Sequence, residues 1–271
     1  MSICLMYITN NPAVAKIAQR SGVDRIFLDM ESIGKAQRQC GMDTVMSAHT
    51  VKDVENIRSV ITSSEVLVRC NHIYDGSERE IDDVIKAGAD VVMLPYFKTV
   101  EEVKRFIGYV DGRAKVCLLL ETPEAVEKAD DILSVDGIDE MHIGINDLSI
   151  GYGKKFLFEV LADGTVDCLC DKFRKKGIPY GFGGIASLGR GLLPSEYVIM
   201  EHYRLGSRIA ILSRSFCNTE KMRDLDAIKA VFTNGVRAIR EYESYCESHP
   251  EKWDHNHQVT SEMIHTIAGN M

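Results

Sequence analysis

Two acidic residues each close an apolar run. Val116-Cys117-Leu118-Leu119-Leu120 ends in Glu121-Thr122-Pro123, and Met141-His142-Ile143-Gly144-Ile145 ends in Asn146-Asp147-Leu148. Short apolar runs bounded by turn residues read as buried parallel strands. A carboxylate at the C-terminal end of such a strand stands where an α/β barrel assembles its active site. Glu121 and Asp147, one βα unit apart, are therefore candidate oxygen ligands for a hard divalent cation. Asp29 and Glu31 close the second run and Arg69 the third, so in a barrel all five side chains would face one mouth. Their convergence argues more than any single member. Alone, a strand-end carboxylate is often a helix cap or an ion-pair partner, and Asp147 could cap the next helix.

The chemistry such a set suits is carbanion formation beside a carbonyl. A divalent cation on Glu121 and Asp147 leaves coordination positions that a 2-keto acid fills with its carboxylate and ketone oxygens. The cation then acts as a Lewis acid and stabilises the enolate oxygen. Arg69 would add charge-assisted hydrogen bonds to that oxygen or to the carboxylate. The alternative for Arg69 is a salt bridge at the barrel rim.

The elements that must position these residues alternate through the chain. Strands are expected at Ile3–Ile8, Arg25–Met30, Glu65–Cys70, Val91–Pro95, Lys115–Leu120, Glu140–Ile145, Tyr180–Gly184 and Arg208–Ser213. Helical spacing or capping residues mark Pro12–Ser21, Val51–Ile61, Ser77–Ala87, Val100–Val110, Pro123–Val135, a stretch through Val166, Leu169 and Phe173, Glu196–Arg204 and Asp226–Glu247. Eight βα units joined by right-handed crossovers leave a closed barrel or an open doubly wound sheet. No G-x-G-x-x-G follows the first strand, which removes the best marker of a dinucleotide-binding sheet. The expected fold is an α/β (β/α)8 TIM barrel over residues 1–249. A C-terminal helical extension is expected, its polar tail over 250–271 either fraying or packing on a neighbouring subunit.

Composition narrows the function. The 271 residues suit one such barrel, and 45 % apolar content supplies a core. A net charge of −8 argues against nucleic-acid binding, which needs a basic surface. No apolar run approaches the ~20 residues of a membrane span, and no secretory leader is recognised, so no membrane association and a cytoplasmic location are expected. The eight cysteines then read as reduced thiols, several within strand-like runs.

Five motifs together resemble the HpcH/HpaI aldolase and citrate lyase β-subunit superfamily over most of residues 10–215. They are Arg25-Ile26-Phe27-Leu28-Asp29-Met30-Glu31, Val68-Arg69-Cys70-Asn71, Ala87-Gly88-Ala89-Asp90 leading to Met93-Leu94-Pro95, Leu120-Glu121-Thr122, and Ile143-Gly144-Ile145-Asn146-Asp147-Leu148-Ser149. The resemblance implies a TIM barrel that holds Mg²⁺ or Mn²⁺, stabilises a pyruvate or acyl-CoA enolate and reversibly cleaves a carbon–carbon bond. It implies Glu121 and Asp147 as metal ligands and Arg69 as the arginine beside the enolate. Asp29, Glu31 and His49 join Arg69 as catalytic candidates. Gly144, Asn146, Gly183 and Gly184 join it as substrate-binding candidates. The expected partners are a keto acid, an aldehyde and further copies of the chain in a trimer or hexamer.

One position departs from the pattern. In the pyruvate aldolases a histidine that serves in acid–base catalysis follows Asp-x-Glu; here it is Ser32, whose hydroxyl is a poor base near neutrality. The lyase β-subunit branch has an acidic residue there. His49 is the nearest replacement, or else a loop histidine. Lys35 and Arg38 either recognise an anionic substrate tail or sit on a solvated face. His72 reads as a loop histidine, His142 as structural, and His255 and His257 as tail residues. The glycines around Gly183 either approach an anion or pack closely, and Ser213-Arg214-Ser215 either extends that site or forms a surface turn. Two readings therefore stand beside the metal-dependent lyase. One is an acyl-CoA lyase or thioesterase-like enzyme. The other is a barrel that lost its base and only binds a ligand or partner.

Overall fold

The computed structural model describes residues 2–34 and 48–271. Each expected apolar run forms a strand. The order is β1 (Cys4–Ile8), α1 (Pro12–Arg20), β2 (Arg25–Asp29), α2 (Val51–Arg58), β3 (Glu65–Arg69), α3 (Ser77–Lys86), β4 (Val91–Leu94), α4 (Val100–Val110) and β5 (Lys115–Leu120). Then come α5 (Pro123–Glu127), α6 (Ala129–Ile132), β6 (Glu140–Ile143), α7 (Ile145–Gly151), α8 (Glu159–Ala162), α9 (Thr165–Lys176), β7 (Tyr180–Ile185), α10 (Ser195–Leu205), β8 (Ile209–Leu212) and α11 (Leu225–Ser248). A 3₁₀ turn (Pro250–Lys252) and α12 (Trp253–Gly269) end the chain. All strand pairs are parallel, and β8 closes on β1 to complete an eight-stranded barrel.

Local chemistry sets the helix starts. Asn11 accepts from the Ala13 and Val14 N–H groups, with Pro12 opening α1. Reciprocal capping boxes start α2 (Thr50 with Asp53) and α4 (Thr99 with Glu102). One apolar layer lies between strands and helices, and a second fills the barrel with Met6, Phe27, Leu67, Met93 and Leu119 among others. At Gly181 an added Cβ would lie 2.0 Å from the Ile209 carbonyl oxygen, so only glycine lets β7 approach β8 this closely.

An ionic plug closes the N-terminal end of the barrel. Arg25 at the start of β2 donates from Nη2 to Glu140 Oε1 at 2.6 Å, across the barrel on β6, and from Nε to Glu65 Oε2 at 2.7 Å. Lys115 Nζ reaches Glu65 Oε1 at 2.6 Å. Burial alone would favour neutral Arg25, but Glu140 and Glu65 outweigh it and hold the guanidinium well above its ordinary pKa.

Three expectations change. The sixth strand stops at Ile143, and Ile145 already belongs to α7, so Asp147 stands in the first turn of a helix. The Pro123–Val135 helix is two short helices broken at Lys128. Residues 250–271 do not form a frayed tail. Helix α12 packs on α8 and α10 of its own barrel through Asn256, Thr260, Ile264 and Ala268. Its Asn256 Nδ2 donates to the fully buried Glu201 at 3.0 Å, and His257 Nδ1 lies 3.0 Å from the same carboxylate. Among the described residues no helix is long and apolar enough to cross a membrane.

Candidate active site

A cavity of about 700 Å³ opens at the C-terminal mouth of the barrel. Asp29, His49, Arg69, Glu121, Gly144, Asn146, Asp147, Gly183 and Gly184 all line it. The sequence-predicted set is thus brought together by β2, β3, β5, α7 and β7. Glu31 is buried just behind it.

Arg69 ends β3 directly opposite Asp29 in the β2–β3 register. Its fork meets the Asp29 carboxylate twice, Nε to Oδ1 at 2.9 Å and Nη2 to Oδ2 at 2.8 Å, and Nη1 lies 3.5 Å from Glu31 Oε2. The guanidinium also lies over the Phe27 ring, 5.7 Å from its centroid. Burial works against the charge, but Asp29 in particular, then Glu31 and Glu121, hold Arg69 well above its ordinary pKa. Asp29 and Glu31 therefore fix the orientation of a permanently charged fork.

His49 Nδ1 accepts the Asp29 backbone N–H at 3.0 Å. A backbone N–H can only donate, so the neutral ring carries its proton on Nε2. In that tautomer His49 offers a hydrogen-bond donor and not a base. Ser32 is held away from proton transfer: its N–H donates to Asn71 Oδ1 at 2.8 Å and its hydroxyl lies 3.3 Å from the same oxygen. Asn71 Nδ2 in turn donates to Glu80 at 2.9 Å.

Glu121 follows β5 and is 4 % exposed. Thr122 beside it caps α5 and donates to the Phe97 carbonyl at 2.8 Å, which fixes the chain at that point. Glu121 Oε1 accepts the Tyr96 N–H at 3.0 Å. Tyr96 holds a left-handed backbone, φ 50°, a strained conformation for a bulky residue. Gly144 packs on the other side: an added Cβ would lie 2.6 Å from both Glu121 Cβ and Oε2. Burial, followed by the Asp147 charge, pushes Glu121 up to about 8 despite the opposing pull of Arg69. Asp147 is 8 % exposed, and Asn146 Nδ2 donates to its Oδ1 at 3.3 Å.

The remaining predicted residues divide. Gly183, at φ 52°, faces Ile145, where an added Cβ would meet Cδ1 at 2.7 Å, and Gly184 lies against the Ile211 carbonyl. Both glycines keep the cavity wall thin. His142 lies inside β6 at the cavity wall, and burial holds it down at about 4, hence neutral. Ser213, Arg214 and Ser215 line the cavity. Lys35 and Arg38 fall outside the described residues. Sequence reasoning missed Tyr96 and Asn71. Neither has a side-chain signal for its role, because Tyr96 acts through its backbone and Asn71 through loop contacts.

Among the described residues no group of three or more His, Cys, Asp and Glu is arranged to hold a metal ion. The donor set on offer is the Glu121–Asp147 pair. One or two carboxylates, completed by water and substrate oxygens, suit Mg²⁺ or Mn²⁺. A cation between them would offset both causes that raise Glu121, burial first and then the Asp147 charge.

The family profile described as HpcH/HpaI aldolase/citrate lyase matches residues 3–156, which hold Asp29, Glu31, Arg69, Glu121 and Asp147. An HpcH/HpaI aldolase from Desulfitobacterium hafniense DCB-2 superposes with a TM-score of 0.63 at 17 % identity, covering 89 % of this chain and 93 % of that one. An HpcH/HpaI aldolase/citrate lyase family protein from Burkholderia cenocepacia J2315 gives 0.63 at 13 % identity, covering 84 % and 95 %. The citrate synthase SbnG gives 0.62 at 17 % identity, covering 84 % and 94 %. At such identities the likeness concerns the fold. The search of curated proteins gives no match.

Proposed function

Since the chain belongs to the HpcH/HpaI aldolase/citrate lyase family, we propose that it is a divalent-metal-dependent carbon–carbon lyase acting through the enolate of pyruvate or a related 2-keto acid. The observation that carries this reading is the buried carboxylate pair, Glu121 beside Asp147, at the mouth of a barrel cavity that also holds Arg69. These two residues would hold the cation. When bound, Mg²⁺ or Mn²⁺ supplies a Lewis acid toward the ketone and carboxylate oxygens of the keto acid.

The chain's own residues supply the rest. Arg69 offers guanidinium donors to an oxygen that becomes negative as the enolate forms, and Asp29 and Glu31 keep that fork from swinging. His49, anchored through Nδ1 to the Asp29 N–H, lines the same cavity. In the addition direction the C3 methyl group gives up a proton, the enolate carbon bonds the aldehyde carbon, and the aldehyde oxygen gains a proton. Cleavage reverses each change, so atoms and charge balance. Arg69 and the carboxylates need no acid–base partner to stabilise an enolate made by loss of carbon dioxide.

Oxaloacetate decarboxylation therefore tests the enolate half alone. Purified protein with Mn²⁺ or Mg²⁺ should decarboxylate oxaloacetate, lose that activity on chelation, and lose it in Glu121→Gln. Activity that survives both removes the assigned metal role. Ser32 turned to Asn71 favours a second reading, a barrel that binds a keto acid without aldol turnover. Saturable pyruvate binding and decarboxylation, with no aldol product from any aldehyde, would select it.

A further inference from the structure

We infer that the β6–β7 side of this cavity is a subsite for an uncharged, apolar aldehyde substituent of about four or more carbons; this rests on the enolate reading above. The cavity's volume, about 700 Å³, lies in the range of ~300–1,000 Å³ that houses drug-sized ligands and far exceeds a three-carbon keto acid. Its two sides differ in chemistry. Four charged groups, Asp29, Arg69, Glu121 and Asp147, come from β2, β3, β5 and α7, and Arg214 and Glu220 follow β8. The apolar part of the opposite wall is built by Phe156 and Phe158 between α7 and α8, by Leu192 and Leu193 between β7 and α10, and by Val198 on α10.

Phe156 and Phe158 are buried with ring centroids 5.5 Å apart, and Leu193 is buried while Leu192 is 70 % exposed at the rim. Gly183 and Gly184 place no side chain between this wall and the carboxylate pair, so the two halves form one space. A large exposed leucine on the edge of a substrate cavity is a surface that burial of an apolar ligand would satisfy. Arg214 and Glu220 beyond β8 balance one another in formal charge, so a carboxylate buried on this side gains no net attraction to offset its desolvation.

The experiment compares three aldehydes with pyruvate and Mn²⁺: hexanal, acetaldehyde and 6-oxohexanoate. Each fully buried methylene favours binding about fourfold. Hexanal carries four more than acetaldehyde and should exceed it at least tenfold in kcat/KM, with 6-oxohexanoate below hexanal. Leu192→Asp should shrink the hexanal advantage at least fivefold. A crystal soaked with benzaldehyde, which needs no turnover, should place the ring between Phe158 and Leu192. Equal use of hexanal and acetaldehyde, preference for 6-oxohexanoate, or a ring bound elsewhere overturns the subsite. Oxaloacetate decarboxylation, which needs no aldehyde, tells the two ideas apart. If it proceeds while hexanal shows no advantage, only the subsite falls; if it fails as well, the enolate reading falls and the subsite with it.

Discussion

Glu121→Gln should make the metal-free protein more stable at alkaline pH, and the size of the effect follows from where this carboxyl sits. In the unfolded chain it titrates near 4.5; in the barrel, burial and Asp147 hold it at about 8. Below 4.5 both states carry the proton. Between 4.5 and about 8 the unfolded chain has released it while the folded chain keeps it. The folded state then binds more protons, so stability falls as pH rises through that window. At about 1.4 kcal/mol for each tenfold change in proton affinity, the full loss is on the order of 5 kcal/mol. That is a large share of the ~5–15 kcal/mol by which domains are usually stable. A glutamine of the same shape never ionises and avoids the loss. Urea denaturation of both proteins at pH 5, 6, 7, 8 and 9 in the presence of a chelator reads it directly: similar stabilities at pH 5, diverging by several kcal/mol at pH 8. Saturating Mn²⁺ should cancel the divergence by stabilising only the wild type. Its binding near pH 7 should release about one proton, seen by calorimetry in buffers of different ionisation enthalpy. Parallel stability curves for the two proteins would refute the assigned burial and coupling of Glu121.

Three further outcomes test the supports of the site. Gly144→Ala places a Cβ 2.6 Å from Glu121 Cβ and Oε2, so it should cost about 1–3 kcal/mol by urea denaturation and weaken Mn²⁺ binding at least about tenfold. Arg69→Lys keeps a positive charge but loses the double contact to Asp29; oxaloacetate decarboxylation should fall on the order of 10²-fold in kcat with little change in circular dichroism. Glu140→Gln leaves Arg25 buried without its main counter-charge, and should cost about 3–5 kcal/mol while Mn²⁺ affinity, measured by titration, stays the same.

The barrel is legible because its determinants are local and repeated. Seven strands appear as bounded apolar runs and the remaining one as the glycine-rich stretch Tyr180–Gly184, and α4 covers Val100–Val110 behind its predicted cap Thr99. Reading fails where one apolar run serves two elements. Met141–Ile145 is continuous in the sequence, yet Gly144 turns the chain and gives Ile145 to α7. It also misses how the expected helical extension packs: the buried stripe of α12, at every fourth position, is Asn256, Thr260, Ile264 and Ala268. Half of that stripe is polar, so hydropathy does not reveal it. Its first member is answered by buried Glu201, 55 residues away. Asp29, Arg69 and Glu121 are legible as strand-end residues, whereas Asp147, read the same way, stands in the first turn of α7. Their mutual roles are not legible, because pairing of Asp29 with Arg69 depends on the β2–β3 register and pairing of Glu121 with Tyr96 on a backbone conformation.

The two ends of the barrel are both ionic, and their charge balance separates structure from chemistry. At the N-terminal end Arg25 and Lys115 meet Glu140 and Glu65, two cations against two carboxylates, joined by contacts of 2.6–2.7 Å. That plug is neutral as a unit and has nothing further to bind. At the C-terminal mouth Arg69 faces Asp29, Glu31 and Glu121, with Asp147 acting on Glu121. Asp29 and Glu31 hold the guanidinium, and Glu121, raised to about 8 by burial and then by Asp147, keeps its proton at neutral pH. Folding alone gives no reason to keep an acid there, since a glutamine would avoid the loss of stability between pH 4.5 and about 8. A carboxyl that weakens the fold, placed at the end of the barrel where substrates enter, marks a functional position, and the proposed cation is the ligand that would draw off its proton.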